Sequence, residues 1–79
     1  MFKVIKRDGT IQDFDSSKIV SAIVNSGATV EIANEVAVEI ESLFADAEEV
    51  SSLEIRDEVI RVLTTRDAEA AQVFGSYSK

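Results

Sequence analysis

The dipeptide Asp8-Gly9 constrains the fold of this chain more than any other feature. An Asp-Gly pair between two arms of alternating polarity closes a tight β-turn, because glycine accepts the positive φ that such turns require. On one side Phe2, Val4 and the aliphatic stem of Lys6 alternate with Lys3, Ile5 and Arg7; on the other stand Ile11 and Phe14. The pattern predicts a hairpin with strands over residues 2–7 and 10–14.

Past the hairpin the apolar period changes to that of a helix, in four successive segments. Asp15 or Ser16 can cap the first, in which Ile19, Val20, Ile23 and Val24 share a face. Asn25-Ser26-Gly27 ends it, with Gly27 suited to the left-handed position after a helix. Thr29 caps the second, where Ile32, Ala33, Val36, Ala37, Ile40 and Leu43 or Phe44 recur on one face and Glu31, Glu35 and Glu39 on another. A polar link from Asp46 leads to Val50, which offers a short third strand to the hairpin. Ser51 and Glu54 form a capping box ahead of Ile55, Val59, Val62 and Leu63. Asp67 caps the last segment, along which Ala70, Ala71, Phe74 and Tyr77 line up. The predicted helices span 16–26, 29–44, 52–64 and 67–77, and with no proline in the chain none is interrupted. This order is α+β: a hairpin, with a short third strand available, covering a four-helix bundle. Its expected core is Val4, Ile19, Ile23, Ile32, Val36, Ile40, Ile55, Val59, Leu63 and Phe74.

Seventy-nine residues, 46% of them apolar, hold one domain over 1–79 and one modest core. A chain of this size should be stable by only about 5 kcal/mol. Cys and His are both absent, which excludes disulfides, zinc sites and every catalytic scheme built on either residue. The N-terminal apolar run is too short for a signal peptide, and nothing approaches the ~20 apolar residues that cross a bilayer. The expectation is a cytoplasmic protein without a membrane partner.

The net charge of −7 is unevenly placed. Between Glu31 and Glu58 stand ten acidic residues and one basic one, Arg56, whereas Lys3, Lys6, Arg7 and Lys18 crowd the first eighteen positions. An acidic body repels a nucleic-acid backbone, so nucleic acid is excluded as a partner. A local basic cluster can still hold one small anion, since short-range contacts escape the screened long-range field.

Three constellations carry potential chemistry. Lys6-Arg7-Asp8-Gly9-Thr10 reads either as an ordinary hairpin with solubilising charges or as a grip on a triphosphate, with Arg as a planar fork and Lys as a point charge. Phe14-Asp15-Ser16-Ser17-Lys18 is either a capped helix start with Lys18 in water or an anion site at a helix N-terminus; Asp15 could instead accept from an adenine amino group or a ribose hydroxyl. Arg56, with Ser52 on the same helix, either faces a ligand or pairs with carboxylates such as Glu31 and Glu35. The acidic run Asp46, Glu48, Glu49 lacks the spacing of a calcium loop, and glycines at 9, 27 and 75 cannot make a P-loop. A dyad of Ser16 or Ser17 with Lys18 has no oxyanion hole to serve it. No residue is expected to be catalytic and none to bind a metal directly.

The ordered set Val4-Ile5-Lys6-Arg7-Asp8-Gly9, Phe14-Asp15, Lys18-Ile19 and Ala22-Ile23 resembles the opening of the ATP-cone family. Glu49-Val50-Ser51-Ser52, Ile55, Val59, Leu63, Asp67 and Phe74-Gly75-Ser76 resemble its closing helices, and Tyr77 with Lys79 is a loose version of its aromatic and basic ending. The resemblance spans residues 3 to 79. It implies an ATP- or dATP-binding allosteric regulatory domain, not an enzyme, of the kind found in ribonucleotide reductases and in the repressor of their genes. By the same resemblance Val4 would touch the base, Lys6, Arg7 and Lys18 the phosphates, and Asp15 the base or ribose. Gln12 stands where the family is often acidic, and Ser52 and Arg56 stand where third-helix residues line the nucleotide site. Mg²⁺ would enter only through the phosphates, and a protein partner or a second copy would receive the signal. A strand directly after Met1 leaves no room for the repressor's zinc ribbon and no reductase barrel follows, which implies an excised or free-standing cone. The alternative is a degenerate cone that acts as a protein-interaction or oligomerisation module without nucleotide.

Overall fold

At the tip of the N-terminal hairpin Gly9 has φ +90°, the left-handed geometry for which the Asp-Gly pair selects. The structure is a computed structural model that describes residues 2–77, with Tyr77 as backbone alone. Expectations placed on Met1, Lys79 and the Tyr77 side chain lie outside the described residues. The Lys6 amide donates to the Thr10 carbonyl at 2.8 Å and the Gly9 amide to the Lys6 carbonyl at 3.0 Å. The Asp8 carboxylate accepts from both the amide and the hydroxyl of Thr10, at 3.0 and 2.7 Å, and locks the turn from its own side chain.

Strand β1 (Lys3–Ile5) pairs antiparallel with β2 (Ile11–Asp13), Val4 opposite Gln12. The strands are shorter than the alternation predicts, because residues 6–10 belong to the turn and Phe14 turns inward. Its ring lies 4.5 Å from that of Phe2, centroid to centroid, and both are buried. The short strand offered by Val50 forms as β3 (Glu49–Ser51), parallel to β1 with Val4 opposite Val50, and the sheet order is β2-β1-β3.

Four helices follow the predicted order: α1 (Ser16–Asn25), α2 (Val30–Leu43), α3 (Ser52–Arg66) and α4 (Ala68–Tyr77). Side-chain oxygens satisfy amides at each N-terminus, where a helix has no carbonyl to offer them. Asp15, rather than Ser16, caps α1; Thr29 caps α2, Ser51 caps α3 through the Leu53 amide, and Asp67 accepts from the Ala70 amide. Gly27, at φ +107°, turns the chain out of α1. Helix α3 runs on to Arg66, past the predicted end at residue 64. Its guanidinium reaches Glu35 at 3.0 Å and Glu39 at 3.3 Å on α2, which ties down the extra turn.

The helices pack α1 on α2, α2 on α3, α3 on α4, and α4 back on α1, with the sheet across one side. Ile23, Val36, Ile40, Val59 and Leu63 are completely enclosed. Two residues expected in the core, Ile19 and Ile32, are only half-buried at its margin, while Phe2, Phe14 and Val50 join it from the sheet side. Among the described residues no helix is long and apolar enough to cross a membrane.

Candidate functional site

Strand pleating decides what gathers beside the sheet. Val4 faces the cleft from β1, Lys6 follows just past the end of that strand and also lines the cleft, and Gln12 faces the same way as Val4 because it is directly opposite it. On α3 Ser52 and Arg56, and likewise Ile55 and Val59, are four apart and stack on neighbouring lines of the helix. The start of α1 adds Asp15 and Lys18. These elements enclose a cleft of about 200 Å³ whose floor includes the buried Val4, Ile55, Val59 and Phe74 and whose rim carries Lys6, Gln12, Asp15, Lys18, Ser52 and Arg56.

Seven of the eight residues singled out in the sequence thus meet at one cleft. Arg7 lines the adjoining groove, where Asp8 and Thr10 also lie and which shares Lys6, Gln12 and Ser52 with the cleft. The two depressions adjoin, one with an apolar floor and one lined by polar side chains. Asp13 also lines the cleft and was missed by sequence reasoning, as were Ile55, Val59 and Phe74, which read as core alone. A signal for the α3 residues was present: the i, i+4 pairs Ser52/Arg56 and Ile55/Val59 place polar and apolar side chains on adjacent lines. Nothing local marks Asp13.

The electrostatics of the rim are asymmetric. Neither Lys6 nor Lys18 makes a salt bridge among the described residues, although each feels a nearby aspartate, Asp8 and Asp15 respectively. Asp15 accepts from the Ser17 hydroxyl at 2.6 Å and from its amide at 3.0 Å. The Ser17 hydroxyl, then the amide, holds its carboxyl below the ordinary aspartate value, so it stays an ionised acceptor. Asp13 is held low by Lys3, its hydrogen-bonded partner across the hairpin.

Arg56 does not pair with Glu31 or Glu35. It crosses to α4 and donates from one terminal nitrogen to the Gly75 carbonyl at 2.9 Å, with Asp57 at 3.7 Å from the other; Glu35 is taken by Arg66. The Nε of Arg56 is buried and has no hydrogen-bond partner among the described residues.

This arrangement suits a ligand with a flat apolar part and an anionic tail. The floor can bury a heteroaromatic ring, Lys6, Lys18 and Arg56 supply charge-assisted donors, and Asp15 can accept from an amino or hydroxyl group. A volume of about 200 Å³ is below the roughly 300–1,000 Å³ of small-molecule pockets, so a larger ligand would extend into the adjoining groove beside Arg7. Among the described residues there is no cluster of acidic side chains able to hold a metal ion.

No curated protein matches this chain. The family profile of the ATP cone domain matches residues 2–79, essentially its whole length. Domains of this kind are regulatory, nucleotide-binding and non-catalytic, with ATP or dATP as their ligands. The chain belongs to the ATP-cone family.

Proposed function

We propose that the cleft beneath the hairpin binds ATP or dATP, and that occupancy changes how this domain associates with a protein partner or a second copy of itself. The observation that carries this reading is the convergence of Lys6, Lys18 and Arg56 on one apolar-floored cleft, with Arg7 on the adjoining groove. The base rests on Val4 and the α3–α4 floor, Asp15 accepts from base or ribose, and the triphosphate runs along Lys18 and Lys6 towards Arg7. Gln12 and Ser52, shared by the cleft and the groove, flank the passage between base and phosphates. Mg²⁺ enters only with the phosphates. The regulated protein is of the ribonucleotide reductase type.

Calorimetric titration with ATP, dATP and GTP tests the reading directly. Binding to the native state alone raises stability by RT ln(1 + [L]/Kd), about 2.7 kcal/mol at a hundredfold excess over Kd, so Mg-ATP should raise the melting temperature while inorganic phosphate does little. A second reading, a cone that has lost its ligand and works through its acidic helices, is favoured by the small volume of the cleft and by Gln12. It requires that neither ATP nor dATP give heat or thermal protection.

A further inference from the structure

The Arg56 side chain belongs to two places at once. It lines the cleft, and it also donates to the backbone of α4 at Gly75. Gly75 stands in the last described turn of α4. Arg56, from α3, donates to the Gly75 carbonyl at 2.9 Å and ties α3 to α4 at that point. The fit is incomplete. The guanidinium has five donors in a fixed fork, and its Nε is buried with no acceptor among the described residues.

We infer that Arg56 couples the cleft to the end of α4: an anion in the cleft draws the guanidinium off the Gly75 carbonyl and loosens the last helical turn. The competition is unequal. Gly75 offers one neutral carbonyl to a single donor, whereas a phosphate offers charged oxygens that can engage two donors of the fork in parallel. Leaving Gly75 also gives the orphaned Nε a chance of an acceptor. Lys6 and Lys18 stand on the same rim and hold the anion where Arg56 can reach it. The ligand's arrival is thereby converted into a change at the C-terminal end of the helix, a surface that a partner can read. This coupling rests on the nucleotide reading above.

Amide hydrogen exchange on the full chain tests it, with peptides over 72–77 compared against those over 30–43. Saturating Mg-ATP and inorganic triphosphate should each speed exchange over 72–77 by roughly two- to tenfold, the worth of one net hydrogen bond, while adenosine leaves it unchanged. Arg56→Gln should exchange fast over 72–77 without ligand and respond no further. Arg56→Lys, which keeps a cation but loses the fork, should show a smaller response and serves if the Gln variant does not fold. Unchanged or slower exchange over 72–77 with ATP demonstrably bound overturns the coupling and leaves nucleotide binding intact. An equal effect from adenosine overturns it as well. Absence of calorimetric heat with ATP and dATP removes the nucleotide reading and this inference together.

Discussion

Two groups of cations among the described residues have opposite habits. Along the outer flank of α2 and α3, Arg66 spans to Glu35 and Glu39 and Arg61 grips Glu58 through paired contacts, so each charge is committed to the fold. At the cleft, Lys6 and Lys18 make no salt bridge among the described residues, and Arg56 leaves a buried donor idle. In a chain with fifteen acidic residues against eight basic ones, carboxylates are not scarce. Cations kept out of salt bridges amid such an excess are better suited to an incoming anion than to stability. Stability and recognition are therefore separable by mutation.

The scale is set by the core beneath both regions. Ile23 is completely enclosed, and Ile23→Ala should lower the unfolding free energy by ~2–4 kcal/mol, a large share of the total, read by chemical denaturation. A parent-like melting curve for that variant would refute the assigned core. Next in size are the cleft cations. Lys6→Ala, Arg7→Ala and Lys18→Ala should each weaken ATP binding roughly ten- to a hundredfold in calorimetry while the melting temperature without ligand stays put. Loss of stability in step with loss of affinity would erase the contrast between the regions.

Arg66→Ala should behave in the opposite sense. It cuts two contacts between α2 and α3, at 3.0 and 3.3 Å, for about 0.5–1 kcal/mol of stability with ATP affinity unchanged. Lys3→Ala gives the smallest effect, visible in its pH dependence. Lys3 holds the Asp13 carboxyl below its ordinary value of 3.8, so the folded state binds fewer protons than the unfolded one just under that pH. The pair's contribution is present above pH 3.8 and lost as pH falls through the lowered value. Parent and variant should therefore coincide in strong acid and part slightly on the way up. Because Asp13 also lines the cleft, a loss of affinity in Lys3→Ala equal to that in Lys6→Ala would reduce the site to a general electrostatic patch.

Sequence reading succeeded where the chemistry is local. Asp8-Gly9 sets its own turn, Thr29 and Asp67 cap the helices they precede, and Gly27 supplies the left-handed exit that only a residue without Cβ takes easily. Contacts between distant residues were harder. That Arg56 would meet a carbonyl nineteen positions away, in preference to an acidic neighbour on α2, depends on how α3 crosses α4, and no spacing encodes that crossing. The same holds for Ile55, Val59 and Phe74, whose apolar pattern fits a core and a cleft floor equally well. Residues named for the cleft from the family resemblance came together because β1, α1 and α3 converge, a property of the whole bundle.

The parallel pairing of β1 with β3 has a consequence in time. Residues 3 and 49 are neighbours in the sheet, yet α1 and α2 intervene along the chain. A hairpin closes in about 1–10 μs, but joining strands so far apart requires closing a long loop, whose entropic cost delays it behind local structure. The third helix begins where β3 ends, so the wall carrying Ser52 and Arg56 reaches the hairpin only when that loop has closed. The cleft is thus assembled after the local structure around it. A nascent chain halted before residue 49 would have its turn and its basic cluster but no cleft.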